Sequence, residues 1–341
     1  MEIQPVFKVL PGAMRWFNLR HSLPKTLFPS ILLLAGLRKP SFDKPRTIFT
    51  FSVSEDLARL WHHFASKILP KDEWHLVISD WSGEMRRNLF PGADIVPFIN
   101  FAHGTKIDIF AKRFIQSEVI FLCDDDRYLV KDISGAVDRF NNPQVGAVSL
   151  RPRNWYKISI NGTTYDPMGS YAVMFRRSLF LKHNLSFRSV KRPFTNRVFE
   201  PGVKAQVGYD TGDFANEQLL LGGYEVITEG FQDCTSGFDG LTGPTVFLRK
   251  YGKDYVLKSL ALAGHYKKGS LVGSQLRGLY GVSKCDELYR AVFKTEPRYA
   301  SGITPQDVIS VLTNNPRIPV EERTDHLAYF KEVDLISLQL V

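Results

Sequence analysis

Cysteine is scarce in this chain and shows no pairing pattern: Cys123, Cys234 and Cys285 are far apart, odd in number and without a CxxC pair. That excludes a zinc ribbon or a disulfide framework, and a reducing, cytoplasmic setting is expected. Long apolar runs are missing as well. The most hydrophobic stretch, FPSILLLAGL, falls far short of the ~20 residues that a spanning helix needs. The opening MEIQPVFKVLPG lacks the basic-then-apolar order of a secretory signal, so a soluble or peripheral protein is expected. There is no internal repeat, no low-complexity linker and no nucleic-acid recognition motif.

What is present is the composition of a folded protein: 341 residues, 44% hydrophobic and 23% charged, enough for one large domain or two intimate ones. The net charge of +9 favours acidic partners such as phosphates, nucleic acid or an anionic membrane surface, without choosing among them. The segment RWFNLRHSLPKTLFPSILLLAGLRK mixes Trp16, Phe17, Leu19 and Phe28 with Arg15, Arg20, Lys25, Arg38 and Lys39. It suits an interfacial anchor at the inner face of a membrane, or a plainly packed N-terminal extension over residues 1–40.

After Pro40 the pattern becomes regular. TIFTFSV predicts a strand, and SEDLARLWHHFASKIL a helix with Ser54 as N-cap; EWHLVISD predicts a second strand ending at Asp80. A strand at ADIVPFIN, a helix at HGTKIDIFAKRFIQ and a strand at EVIFLCD follow. VKDISGAVDRFNN predicts a helix, VGAVSLRP a strand, and SYAVMFRRSLFLKHN a strand leading into a helix; periodicity weakens past Pro305. Strands alternating with helices imply an α/β fold with a mostly parallel central sheet, in which ligands bind beyond the carboxyl ends of the strands.

The stretch FLCDDDRYL, residues 121–129, sets Asp124, Asp125 and Asp126 directly after an apolar strand. Adjacent carboxylates resist ionising together, so a positive group belongs among them. Hard cations such as Mg²⁺ or Mn²⁺ take one or two carboxylates together with a substrate's phosphates, and a strand-end cluster supplies such ligands. The plainer reading is that one Asp caps a turn and the others are solvated. Asp80, at another strand's carboxyl end, belongs to the same candidate crevice or caps a turn of its own.

With these motifs in order, the sequence resembles the GT-A fold glycosyltransferases, whose strand-end DxD motif binds a metal and a nucleotide-sugar diphosphate. The resemblance runs over roughly residues 46–270. It includes VISD, with Asp80 at the position that meets base or ribose; NFAHGTKIDIFAK, like the Gly-containing helix start before the DxD strand; and GSYAVMFRRSLF, like the acceptor-side strand. DTGDFANEQLLLGGYEV resembles the acidic helix carrying the catalytic base, and GHYKKGS the late His-containing loop that touches metal or diphosphate. A Glu-Asp pair found in many inverting members is absent.

The resemblance implies a catalytic domain over residues 41–270, with a donor half near 46–130 and an acceptor half near 145–270, followed by a C-terminal helical appendage over 271–341. It also implies metal-dependent transfer, with Mn²⁺ or Mg²⁺, of a sugar from a nucleotide diphosphate to a saccharide or lipid-linked saccharide hydroxyl. Asp124, Asp126 and His265 would ligate the metal. Asp80, Lys106, Asp124, Asp125 and Lys267 would hold the donor, with Lys268 as a further cation. Asp213 would act as base with Asp210 as support, the two competing for that place, and the outcome would be inverting, with a retaining route left open. Trp155, Tyr156 and Tyr165 line a sugar site or pack in the core. A non-catalytic nucleotide-sugar binder and a basic nucleic-acid-binding protein are the alternatives.

Overall fold

The computed structural model describes residues 18–37, 44–100, 102–153, 156–190, 197–199, 209–238, 240–262 and 271–341. In chain order the strands are β1 (Arg46–Ser52), β2 (Trp74–Asp80), β3 (Ala93–Pro97), β4 (Val119–Cys123), β5 (Arg127–Leu129) and β6 (Val145–Ser149). After them come β7 (Tyr156–Ile160), β8 (Thr163–Tyr165), β9 (Ala172–Arg176), β10 (Arg197–Phe199), β11 (Glu225–Ile227) and β12 (Thr235–Gly237). Seven form the central sheet in the order β11-β6-β9-β4-β1-β2-β3. All neighbours are parallel except β9, which runs against both β4 and β6. The fold is therefore α/β, with a mostly parallel central sheet flanked by helices.

β2 and β4 are buried along their whole length and β1 at all but its first residue, which is why they read as continuous apolar runs: a central parallel sheet is covered on both faces. The Glu55–Ile68 helix starts where predicted, with the Ser54 hydroxyl accepting from the Leu57 N–H at 3.4 Å and Glu55 and Asp56 in the first turn. Phe49, Phe51, Phe98, Phe110 and Phe114 pack mostly edge to face, for example Phe110 on Phe114 at 5.2 Å and Phe51 on Phe110 at 5.3 Å. This aromatic wedge fixes the Phe110–Phe114 turn against the sheet.

The sequence expectation and the structure differ in two places. The 130–142 segment makes only the short helix Ser134–Asp138 and a 3₁₀ turn at Arg139–Asn141. Two small antiparallel sheets, β10-β7-β8 and β12-β5, were not anticipated. The weakly periodic tail forms the helices Pro305–Asn314 and Val320–Leu340, and Phe330 of the latter stacks on Tyr280 at 3.9 Å. The Arg298 and Tyr299 N–H groups donate to Asp56 at 2.9 and 2.8 Å, fastening the C-terminal helices to the Glu55–Ile68 helix. Among the described residues no helix is long and apolar enough to cross a membrane.

The sheet order places the site. From β1 the chain moves outward through β2 to the β3 edge, then returns to β4 on the other side of β1. Connections leaving the carboxyl ends of β1 and β4 therefore diverge, and such a switch point is where open α/β sheets make their binding crevice. Ser52 ends β1, and Asp124 to Asp126 follow β4.

Candidate active site

The acidic run sits in a tight turn. The Asp124 N–H still donates to Tyr171 O at 2.9 Å, the Arg127 N–H closes back on Asp124 O at 3.0 Å, and β5 then pairs with β12. Within this turn the three carboxylates point apart. Asp125 accepts from the Ser52 hydroxyl at 2.5 Å, bridging β1 to the end of β4. Asp126 accepts from the Gly240 and Leu241 N–H groups at 2.9 and 3.3 Å, just before the Thr242–Tyr251 helix. Asp124, about a fifth exposed, faces His103, whose Nε2 is 3.7 Å away. Gly237 passes so close to this turn that a Cβ would meet Asp126 O at 2.2 Å.

The positive group that the run requires is Lys106. Its Nζ lies 2.8 Å from the centroid of the Trp81 ring and 5.1 Å from that of Phe51, and donates to Asn100 Oδ1 at 3.0 Å. With 1% of its surface exposed, it is buried beneath the carboxylates. Burial pulls its pKa well below the ordinary lysine value while Asp124 and Asp125 pull the other way. Burial likewise raises the Asp125 carboxyl to about 6, against Ser52 and Lys106. One turn earlier, His103 is held well below its usual value by burial and then by Lys106, with Asp210 opposing, although about a third of its side chain is open.

Both groups ride on the His103–Ile109 helix, whose placement depends on Gly104: a Cβ there would stand 2.1 Å from Phe187 O and 2.7 Å from the Arg188 Cα. The Phe187 segment also holds the DTGD turn, because the Gly212 N–H donates to Phe187 O at 3.0 Å and Val190 bridges Tyr209. Gly212 itself has φ +86°, the left-handed turn that opens the Asp213–Leu221 helix.

Here the two acids of DTGD separate. Asp213 is 1% exposed; it accepts from the Tyr156 hydroxyl at 2.5 Å and from the Asp210 N–H at 2.6 Å, and lies 3.3 Å from Arg153 Nη1. Asp210 has 45% of its side chain exposed; Arg153 donates to its Oδ2 at 3.2 Å and to Thr211 O at 2.8 Å. Asp213 is thus enclosed and Asp210 faces outward, near enough to His103 for its charge to bear on that ring.

Asp80, expected either to meet base or ribose or to cap a turn, is tied into its own turn. It is 1% exposed, and its oxygens accept from the Ser82 N–H, the Ser82 hydroxyl, the Gly83 N–H and the Met85 N–H, all within 3.0 Å, so the carboxylate is spent shaping its own turn. Tyr156 is buried behind Asp213, and Tyr165 is half-buried in β8. Trp155, His265, Lys267 and Lys268 lie outside the described residues. Among the described residues, no three His, Cys, Asp or Glu side chains form a group able to hold a metal ion. Of the acidic run, Asp125 and Asp126 are buried and Asp124 is partly exposed.

Sequence reasoning missed Ser52, His103 and Arg153. His103 carried a signal, since it lies three positions before Lys106 on one helix face. Arg153 carried none, because its partners are about sixty positions away.

No family model matches the sequence, and no curated protein matches it. Solved structures do resemble it. The mannosyltransferase PcManGT from Pyrobaculum calidifontis, in complex with GDP-Man and Mn²⁺, is 12% identical over 98% of this chain and 99% of that one, with a TM-score of 0.41. A putative glucose-1-phosphate thymidylyltransferase from Bacillus anthracis is 9% identical over 66% of this chain and 98% of that one, at 0.36. TarS of S. aureus is 10% identical over 86% of this chain and 54% of that one, at 0.35. Likeness at this level decides nothing about activity, which has to be read from the geometry.

Proposed function

We propose that this chain is a glycosyltransferase that moves a sugar from a nucleotide-diphosphate donor to the hydroxyl of a saccharide or lipid-linked saccharide, with inversion. One observation carries the reading. At the switch point between β1 and β4, the outward carboxylate of the acceptor half, Asp210, stands within electrostatic reach of His103, which in turn faces Asp124 on the donor side.

In this reading Asp210 takes the proton of the acceptor hydroxyl as its oxygen bonds the anomeric carbon. The bond from that carbon to the diphosphate oxygen breaks and its electron pair leaves with the nucleotide, through an oxocarbenium-like state. Arg153 orients Asp210, and Asp213 holds Arg153 and the Asp210 backbone in place. His103, neutral at physiological pH, is a hydrogen-bonding group between the two halves. Lys106 acts from below through its field, too buried to touch the donor as folded.

The described residues contain no preformed metal cage, so the fit to a divalent cation rests on Asp124 together with the donor's own phosphate oxygens. Bound there, such a cation would offset the diphosphate charge and serve as a Lewis acid. The reading is tested by thermal stabilisation with a panel of nucleotide sugars, with and without Mn²⁺, followed by NMR of the product anomer. Stabilisation by at least one donor and an inverted product are expected. No stabilisation by any nucleotide sugar, in either metal condition, would overturn it.

A further inference from the structure

The Leu23–Leu34 helix and the turn before it are built inside out. The side against the protein body is Ser22, Thr26, Ser30 and Leu33, all buried. Its contacts are polar: the Ser22 hydroxyl donates to Trp81 O, and the Ser30 hydroxyl accepts from the Ile99 N–H at 2.9 Å and donates to Thr26 O at 2.6 Å. The approach is close, since a Cβ on Gly83 would stand 2.5 Å from the Lys25 Cβ. The outer side carries the large apolar residues, with Leu19 63%, Leu27 42%, Phe28 68%, Ile31 50% and Leu37 77% exposed. A helix at a water-facing surface shows the opposite arrangement, apolar stripe inward and polar face outward.

At the end of this helix Leu34 helps line a cavity of about 510 Å³ whose other walls include Lys112, Arg113, Arg188 and Asp108. Three cations against one carboxylate leave the lining at +2. Asp108 is itself engaged by the Ser186 hydroxyl at 2.6 Å and the Phe187 N–H at 2.8 Å, with Arg188 3.4 Å away. Lys112 donates to Asn184 at 2.8 Å, and Arg113 is exposed at the rim. The apolar stripe is therefore continuous, through Leu34, with a cationic pocket large enough for a phosphate group. Arg20 and Lys25, both exposed, flank the stripe, and Lys25 is ion-paired with Glu84.

We propose that this face docks on an anionic phospholipid bilayer, the stripe of Leu27, Phe28 and Ile31 entering the headgroup region and the Lys112, Arg113 and Arg188 pocket seating a lipid phosphate. An apolar face flanked by basic residues is the physical requirement for interfacial binding, and the cations add attraction to an anionic leaflet. The inference is independent of the glycosyl-transfer reading, because none of its residues belongs to the candidate active site.

The full chain is sedimented with phosphatidylcholine vesicles with and without phosphatidylglycerol, at low and high salt. Binding should need phosphatidylglycerol and weaken with salt as the charges are screened. Phe28→Ser with Ile31→Ser should reduce the affinity about tenfold or more, since two large side chains no longer leave water. Arg113→Glu should reduce it roughly 25-fold on anionic vesicles, from about fivefold per charge, and leave partition onto neutral vesicles unchanged. Both variants alter exposed positions, and unchanged melting curves confirm that they fold. The proposal is overturned if neutral and anionic vesicles bind alike, or if the Phe28 and Ile31 substitutions leave binding intact. It is equally overturned if inorganic phosphate occupies the pocket without affecting vesicle binding, or if the stripe instead drives self-association of the chain in sedimentation velocity.

Discussion

Replacing Asp213 and Asp210 in turn by asparagine should separate a supporting acid from a reacting one. The Asp213 carboxylate is buried and receives a hydroxyl, a backbone N–H and the edge of a guanidinium. An asparagine of the same shape can accept on one side only, so either the Tyr156 hydroxyl or the Asp210 N–H loses its acceptor, and buried Arg153 loses one of its two counter-charges. An unsatisfied buried donor costs about 1–3 kcal/mol, and a weakened buried ion pair adds to that, giving roughly 2–4 kcal/mol in all. For a chain of this size the melting midpoint should fall by about 3–6 °C.

Asp210→Asn is expected to behave in the opposite way. Its side chain is 45% exposed, so its contact with Arg153 is screened and contributes about 0–1 kcal/mol, and melting should move by no more than ~2 °C. Turnover, by contrast, should fall about 10²-fold or more with nucleotide-sugar affinity nearly intact, the pattern of a lost general base. The assay pairs calorimetric melting with steady-state transfer. An active Asp210→Asn alongside a stable, inactive Asp213→Asn would refute the assignment and return the base to Asp213.

Two further outcomes follow from the packing. Gly104→Ala should destabilise the protein by about 2 kcal/mol or more, and should weaken donor binding as well, because the added methyl meets backbone rather than a movable side chain; unchanged urea unfolding would show that the helix start can shift freely. Burial alone would raise the Glu84 carboxyl, yet Lys25, Tyr299 and Arg249 hold it down to about 2, so its stabilising effect is complete above the ordinary glutamate value and is lost as pH falls from about 4.5 toward 2. Glu84→Gln should therefore cost about 1–2 kcal/mol at pH 7 and progressively less across that acid range, and a deficit independent of pH would contradict the clasp.

The parallel half of the fold was legible because its strands are buried on both faces, so β1, β2 and β4 announce themselves as apolar runs with a polar stop, an acid at the end of β2 and just after β4 and a serine at the end of β1. Direction was not: β9 reads like its neighbours, and its reversal is set by which strand it lies between. The DTGD acids look alike in sequence, and only Tyr156 and Arg153, 57 residues away, decide which is enclosed. The sequence likewise marks the N-terminal segment as a mixture of large apolar and basic residues without saying which face of the Leu23–Leu34 helix meets the protein. Hydroxyls inside and leucines outside are a fact of tertiary packing.

The three adjacent aspartates are better understood as three separate tasks than as one shared site, and the difference can be measured. Asp125 ties β1 to β4 through Ser52, Asp126 holds the backbone that starts the Thr242–Tyr251 helix, and Asp124 keeps its exposed oxygen toward His103. Lys106, buried beside them, is drawn toward its charged form by Asp124 and Asp125 while burial draws it the other way. Asp124→Asn should then move melting less than the loss of a buried carboxylate would, its side chain being about a fifth exposed, but weaken Mn²⁺-dependent donor binding about tenfold or more while leaving metal-free donor binding little changed. Asp126→Asn should do the reverse, lowering the melting midpoint by a few degrees through the loss of a charged cap on two N–H groups, about 1–2 kcal/mol, with donor affinity in the folded fraction little changed. If calorimetry instead shows both substitutions abolishing metal-dependent nucleotide binding at equal stability, the carboxylates act together on one cation, and the separation of tasks fails.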